Sequence, residues 1–249
     1  MKIKLLNWSN ALEILEHKSS MKLLDFVKET VKDAPHFLFK GKSESNSASN
    51  KIDTCQEHLN CYFDYKLYEN GWDIQPFIGI GENNDDKEPI KLKADFRKTI
   101  NNRFFQIEVQ CGNNSRFYAD LVKFQMAWLQ KLTDVAILIV PMNNYALRIG
   151  ENICNYERLE RELPYLRNVL QLPILVIGFE PDKTNTEYDL KKMGYSILSD
   201  KNKKDKDKYA YIKKKINRDR NIQAIFTGIP LKNINDNTPV DKSIIPKRK

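Results

Sequence analysis

The chain has 249 residues, 41% of them hydrophobic, and a formal charge of +8 at pH 7. That is enough apolar material for one large domain with a true core, and no apolar run reaches membrane-spanning length, which excludes a transmembrane helix. Met1-Lys-Ile-Lys lacks the apolar region of a signal peptide, so a cytoplasmic protein without a membrane partner is expected.

In chain order, Leu5 to Lys32 predicts two helices, with Leu12, Leu15, Leu23, Leu24, Val27 and Val31 as their apolar positions. Gly41 to Asn50, GKSESNSASN, reads as a polar loop. Residues 51–72 read as helical, ending near Gly71, and Glu82 to Pro89 as an acidic turn. A hairpin follows: one strand starts at Asp95, a turn falls at Asn101-Asn102, and a second strand runs from Arg103 to Cys111. Cys111-Gly112 breaks the chain before a helix over Ser115 to Leu132, with Phe117, Leu121, Phe124, Trp128 and Leu132 recurring at three and four.

Asp134 to Pro141 is a short continuous apolar run, the pattern of a buried parallel strand. Asn155 to Gln171 predicts a helix bent or restarted at Pro164, and Pro173 to Phe179 another buried strand. The order strand, strand, helix, strand, helix, strand defines the α/β class: a mixed central β-sheet flanked by helices. Ala224-Ile-Phe226 reads as a short strand before loop signals at Gly228 and Pro230.

The chemistry concentrates in residues 94–121, ADFRKTINNRFFQIEVQCGNNSRFYADL. Strand side chains alternate between faces, so Phe105, Ile107 and Val109 point to a core while Phe104, Gln106, Glu108 and Gln110 point away. A hairpin sets Asp95 beside Glu108. Two carboxylates converging on an open edge suit a hard cation such as Mg2+, with the Val109 carbonyl as a further ligand. Gln110, being neutral, orients an attacking water by hydrogen bonds.

Elsewhere, residues 201–220 hold ten Lys or Arg against three Asp, so +7 of the charge comes from twenty positions. That run, with Lys213, Lys214 and Lys215 at its centre, suits a phosphate backbone. Cys55, His58 and Cys61 provide only three of the four ligands a closed zinc site wants. His17, His36 and His58 lie far from any Ser or Cys motif, which leaves a catalytic triad unsupported. Trp8, Trp72 and Trp128 read as packing residues.

Asp95-Phe96, Ile107-Glu108-Val109-Gln110, Gly112, Ser115, Asp120-Leu121, Met126-Ala127, Asp134-Val135, Pro141-Met142, Ile177-Gly178 and Pro181 keep the order and nearly the spacing of a known group. On these residues, and on Gly71-Trp72 upstream, the chain resembles the type II restriction endonucleases of the BstYI/BglII group, within the PD-(D/E)XK nuclease fold. The segment from Asp95 to Glu108 is longer than its counterparts. The wider fold has Lys where this chain and the BstYI/BglII group have Gln110.

The resemblance implies a restriction-endonuclease-like domain over 1–249 with its catalytic core at about 90–181. It implies Mg2+-dependent cleavage of double-stranded DNA by Asp95, Glu108 and Gln110 at a palindrome containing GATC. A homodimer is implied, with a cognate methyltransferase acting on the same site, in a bacterial or archaeal cytoplasm. Asn113, Asn114, Ser115 and Arg116, at the start of the helix after the catalytic strand, are candidates to approach the DNA. Two other readings share these features: a structure-specific repair or junction nuclease, separated by its preference for branched DNA, and a non-catalytic DNA-binding protein that leaves DNA intact.

Overall fold

The computed structural model describes residues 1–44, 51–80, 90–196 and 205–247. In chain order the elements are β1 (Lys2–Trp8), α1 (Ala11–Glu16), α2 (Met21–Lys32), β2 (His36–Glu44), β3 (Lys51–Thr54), α3 (Gln56–Glu69), β4 (Asp73–Ile74), β5 (Phe77–Ile80), β6 (Ile90–Lys93), β7 (Phe96–Ile100) and β8 (Arg103–Val109). There follow α4 (Asn114–Leu129), β9 (Val135–Pro141), α5 (Asn143–Ile149), α6 (Tyr156–Glu162), β10 (Ile174–Glu180), β11 (Glu187–Asp189), α7 (Asp205–Ile216) and α8 (Arg220–Thr227).

Six strands form the central sheet in the order β1-β10-β9-β8-β7-β4. β8, β9 and β10 run parallel, and β1, β7 and β4 join antiparallel at the flanks. The mixed sheet expected from the element order is therefore present. β9 is buried along its whole length, as its apolar run requires.

Alternation along β9 and β10 splits the core into two layers. Ile137, Ile139, Leu175 and Ile177 pack with α1, α2, α3 and α8. Ala136, Leu138, Ile174 and Val176 pack with Phe117, Leu121 and Phe124 of α4 and Leu159 of α6. Gly178 lets α6 close onto this second layer, since a Cβ there meets the Tyr156 ring at 2.5 Å.

The β7–β8 hairpin turns at Asn101 and Asn102, both in the left-handed region with φ of 50° and 60°. This is the two-residue turn whose twist matches paired strands, and Asn tolerates it. Pairing of Phe96 with Ile107 sets the register that places Asp95 opposite Glu108.

Several local expectations are corrected. Residues 5–8 are strand β1, hydrogen-bonded to β10, and the helices begin only at Ala11. Gly41–Glu44 continue β2, and residues 51–54 are β3 instead of the start of a helix. α5 between β9 and α6 was not anticipated. Ala224–Phe226 lie in α8: Asp219 accepts the Asn221 and Ile222 N–H groups at its start, and Gly228, at φ 77°, ends it.

The basic run forms α7 from Asp205 onward, while residues 201–204 lie outside the described residues, as do 45–50 of the expected polar loop and 82–89 of the expected acidic turn. All four cysteines are buried. Among the described residues no helix is long and apolar enough to cross a membrane.

Candidate active site

β8 carries the site because its two faces differ in character. Phe105 and Ile107 enter the first core layer. The opposite face was expected to be open, yet Gln106 is fully buried and Glu108 only 3% exposed. The reason is α4, which crosses from Gly112 back over that face and covers it. A buried polar row must find partners, and it does. Thr133 Oγ1 donates to Gln106 Oε1 at 2.8 Å, and Gln106 Nε2 donates to Glu108 Oε1 at 3.0 Å.

Asp95 and Glu108 brace one another through the backbone. The Asp95 N–H donates to Glu108 Oε1 at 3.2 Å, and the Val109 N–H to Asp95 Oδ2 at 3.1 Å. From α4 come two residues that the sequence analysis assigned no role, Asp120 and Lys123. Lys123 Nζ lies 2.8 Å from Glu108 Oε1 and 3.1 Å from Asp120 Oδ1. Gln110 closes the chain: its Nε2 donates to Asp120, and its Oε1 accepts the Gly112 N–H at 2.8 Å. Gly112 must lack a side chain for this, because a Cβ meets Gln110 Oε1 at 2.7 Å.

These groups line a cavity of about 340 Å³ with Gln56, Asn60, Asp64, Gln75 and Arg116 among its walls. Its ionisable lining is Asp64, Asp95, Glu108 and Asp120 against Arg116 and Lys123, four acids and two bases, a formal charge of −2. Burial, then the like charges of Asp95 and Asp120, raise the Glu108 carboxyl well above the ordinary range, while Lys123 works the other way. Burial opposes the charge on Lys123, but Glu108 and Asp120 outweigh it and its pKa is raised.

The donor set fits a hard divalent cation: carboxylate oxygens, a net deficit of two positive charges, and Val109 in the same wall. The ligands are not gathered around a common point, however. Among the described residues no group of three or more His, Cys, Asp or Glu is close enough to hold a metal ion. Lys123 stands between Glu108 and Asp120 instead.

The candidate DNA-contacting residues divide. Asn113 caps α4, accepting the Ser115 N–H at 3.0 Å, and Asn114 Nδ2 donates to Asn152 Oδ1 at 2.8 Å. Only Arg116 of that quartet lines the cavity. Lys213 and Lys214 line a second cavity of about 590 Å³, with Arg218, Lys242 and Lys247, that shares no wall residue with the first. Lys213 donates to the Pro246 carbonyl. Lys215 donates to the Gly194 carbonyl and lies 4.1 Å from the Tyr195 ring centroid.

A mixed six-stranded sheet flanked by helices, with an acidic cleft beside its hairpin, is the architecture of the restriction-endonuclease-type fold. A family model described as restriction endonuclease BglII/BglIII matches residues 3–179. The chain belongs to the BglII/BglIII restriction endonuclease family.

Solved structures agree on the fold. The chain is similar to BglII complexed with a DNA 16-mer, with a TM-score of 0.59, 22% identity, and coverage of 74% of this chain and 81% of that one. It is similar also to free BglII, with a TM-score of 0.51, 21% identity and coverage of 74% and 82%. Among curated proteins, the type II restriction enzyme BamHI of Bacillus amyloliquefaciens is 26% identical over 121 residues, 48% of this chain. That match spans 55% of the relative, little more than half its length.

Proposed function

We propose that this chain is a Mg2+-dependent type II restriction endonuclease that hydrolyses phosphodiester bonds in double-stranded DNA. The observation that carries the reading is the bracing of Asp95 against Glu108, Asp95 N–H to Glu108 and Val109 N–H to Asp95, in a cleft whose lining carries two negative charges in excess. Asp95, Glu108 and the Val109 carbonyl would hold the metal. When bound, Mg2+ stabilises charge on the phosphoryl oxygens and lowers the pKa of an attacking water.

The residues of the chain do the positioning. Gln106 and the Asp95 N–H hold Glu108 Oε1 in place. Gln110 carries no titrating proton, so it works through hydrogen bonds alone, tethering Asp120 in the free chain and orienting water on substrate. Arg116, exposed and in the cavity wall, offers a positive group to a DNA phosphate or a guanine edge. Lys213, Lys214 and Lys215 supply sequence-independent attraction.

A homodimer accords with an apolar strip on the outer face of α4, where Tyr118, Val122 and Leu129 are exposed, Leu129 to 64%. Gln125 ties that helix to the segment carrying exposed Tyr165 and Val169 by accepting the Gln171 and Leu172 N–H groups. Twofold protein symmetry then suits a palindrome, one strand per subunit. The palindrome is proposed to contain GATC, and a methyltransferase protecting the same site, in a bacterial or archaeal cytoplasm, completes the reading.

Plasmid incubated with the purified chain and Mg2+ should yield discrete fragments whose sequenced ends share GATC. Intact plasmid in Mg2+ and in Mn2+ refutes the nuclease reading. Discrete cuts lacking GATC refute only the target sequence.

A further inference from the structure

Lys123 has no part in the mechanism above, yet it has the best-defined surroundings of any cation in the cleft. Its ammonium lies 2.8 Å from Glu108 Oε1, 3.1 Å from Asp120 Oδ1 and 3.2 Å from the Lys93 carbonyl. Three N–H donors meet three oxygens, the full capacity of an ammonium group. The two ion pairs are secluded: the side chains of Lys123, Glu108 and Asp120 are 14%, 4% and 13% exposed. Mg2+ seeks the same hard oxygens, but at about 2.0–2.1 Å. The oxygens of this cleft therefore stand at ammonium spacing.

We propose that Lys123 is a resident counter-ion of the metal site, holding Glu108 and Asp120 in the free chain and yielding Glu108 when a divalent cation binds. The inference rests on the metal site proposed above. An ammonium and a divalent cation on one carboxylate oxygen repel strongly in so secluded a place, so the two compete. A long flexible stem lets the ammonium swing away without the helix moving.

DNA changes the balance, because a phosphate near the cleft offers Lys123 another anion. Substrate thus frees the carboxylates, and by linkage the metal tightens the hold on substrate. Lys123 acts as a positioning residue that keeps the cleft from loading metal before DNA arrives.

Mn2+ binding to the full chain without DNA, read by the electron paramagnetic resonance of free aqua-Mn2+, tests this independently of cleavage. Lys123→Met should bind Mn2+ on the order of tenfold or more tightly than wild type, since a competing charge is gone. Lys123→Arg, which keeps the charge, should stay near wild type. Equal or weaker binding by Lys123→Met overturns the inference, as does failure of both wild type and Lys123→Met to bind.

Without its lysine, Glu108 and Asp120 face each other uncompensated, and Lys123→Met can fail to fold for that reason. Lys123→Met combined with Asp120→Asn relieves the repulsion, and it should exceed Asp120→Asn alone by the same factor. Glu108→Gln separates the two ideas. Mn2+ binding untouched by Glu108→Gln overturns the metal site and this inference together. Binding lost in Glu108→Gln but unchanged in Lys123→Met overturns this inference alone.

Discussion

Glu108→Gln should remove activity while leaving the fold as stable as before or more so. The variant keeps the size of the side chain and an oxygen able to accept from the Asp95 N–H, Gln106 and Lys123, which lie at 3.2, 3.0 and 2.8 Å. Each of these bonds weakens by about 1 kcal/mol when the acceptor loses its charge, a loss of about 3 kcal/mol for the three.

Against this stands the cost of a buried carboxylate beside Asp95 and Asp120, which raises the Glu108 carboxyl well above the ordinary range and favours the neutral side chain. A raised folded pKa means stability is fully present below the ordinary glutamate pKa of about 4.3 and is lost as pH rises through the folded value. Glutamine does not titrate. In EDTA, the gap in Tm between the variant and wild type should therefore be smallest near pH 4 and widen in the variant's favour towards pH 8, as followed by circular dichroism.

Cleavage should fall by about 10³-fold, taking one ligand's share of transition-state charge stabilisation as about 4 kcal/mol, while DNA binding persists. A variant that melts well below wild type at pH 8, or that cuts at the wild-type rate, refutes the reasoning.

Four further outcomes follow from named positions. Gly112→Ala should leave Tm nearly unchanged, because the Cβ meets only side-chain ends, Gln110 Oε1 at 2.7 Å and Arg116 Cδ at 3.4 Å, yet slow cleavage in single-turnover assays by displacing that amide. Gly178→Ala should cost about 2 kcal/mol in urea unfolding, since its Cβ meets a packed Tyr156 ring at 2.5 Å with no room to retreat. Lys214→Gln should lower the log–log salt slope of DNA binding by about 1, while Lys213→Gln should also lower Tm, because its ammonium ties α7 to the Pro246 carbonyl.

The elements that position the site were legible because each depends on short-range rules. Asn101-Asn102 fixes a tight turn, alternation from Arg103 to Val109 fixes the faces, and the apolar runs of β9 and β10 announce burial on both sides. β1 escaped notice because the doubled Leu5-Leu6 hides its alternation, and its partner is a strand more than 160 residues away. α8 was misread from Ala224-Ile-Phe226 alone. Its true markers are Asp219 and Gly228, a cap at each end of one short helix.

The missed site residues teach the same lesson. Asp120 and Lys123 sit at i and i+3 on α4, beside the stripe of Phe117, Leu121 and Phe124 that enters the core. Charges next to a buried stripe on a helix one glycine turn from a polar strand are the local signal. Their meeting with Glu108 is set by the way α4 folds back over β8, which no single segment encodes.

Charge on two scales argues for the order of events. The whole chain carries +8 and draws a polyanion from a distance, while the cleft lining carries −2 and repels a phosphate at close range. Every buried polar group along Thr133, Gln106, Glu108, Lys123, Asp120 and Gln110 has a hydrogen-bonded or ionic partner, so the network is sound as a structure and deficient only in charge. On the proposed reading, that deficit is why cleavage needs a divalent cation and binding does not. Protein charge suffices to bring DNA to the surface, but the scissile phosphate is held for cleavage against Asp95, Glu108 and Asp120 only when a cation stands between like charges. Binding in EDTA together with cutting only in Mg2+ is thus the expected consequence of where the acids of this chain lie, and DNA binding that vanished with the metal would place the phosphate contacts in the cleft instead of on the basic surface.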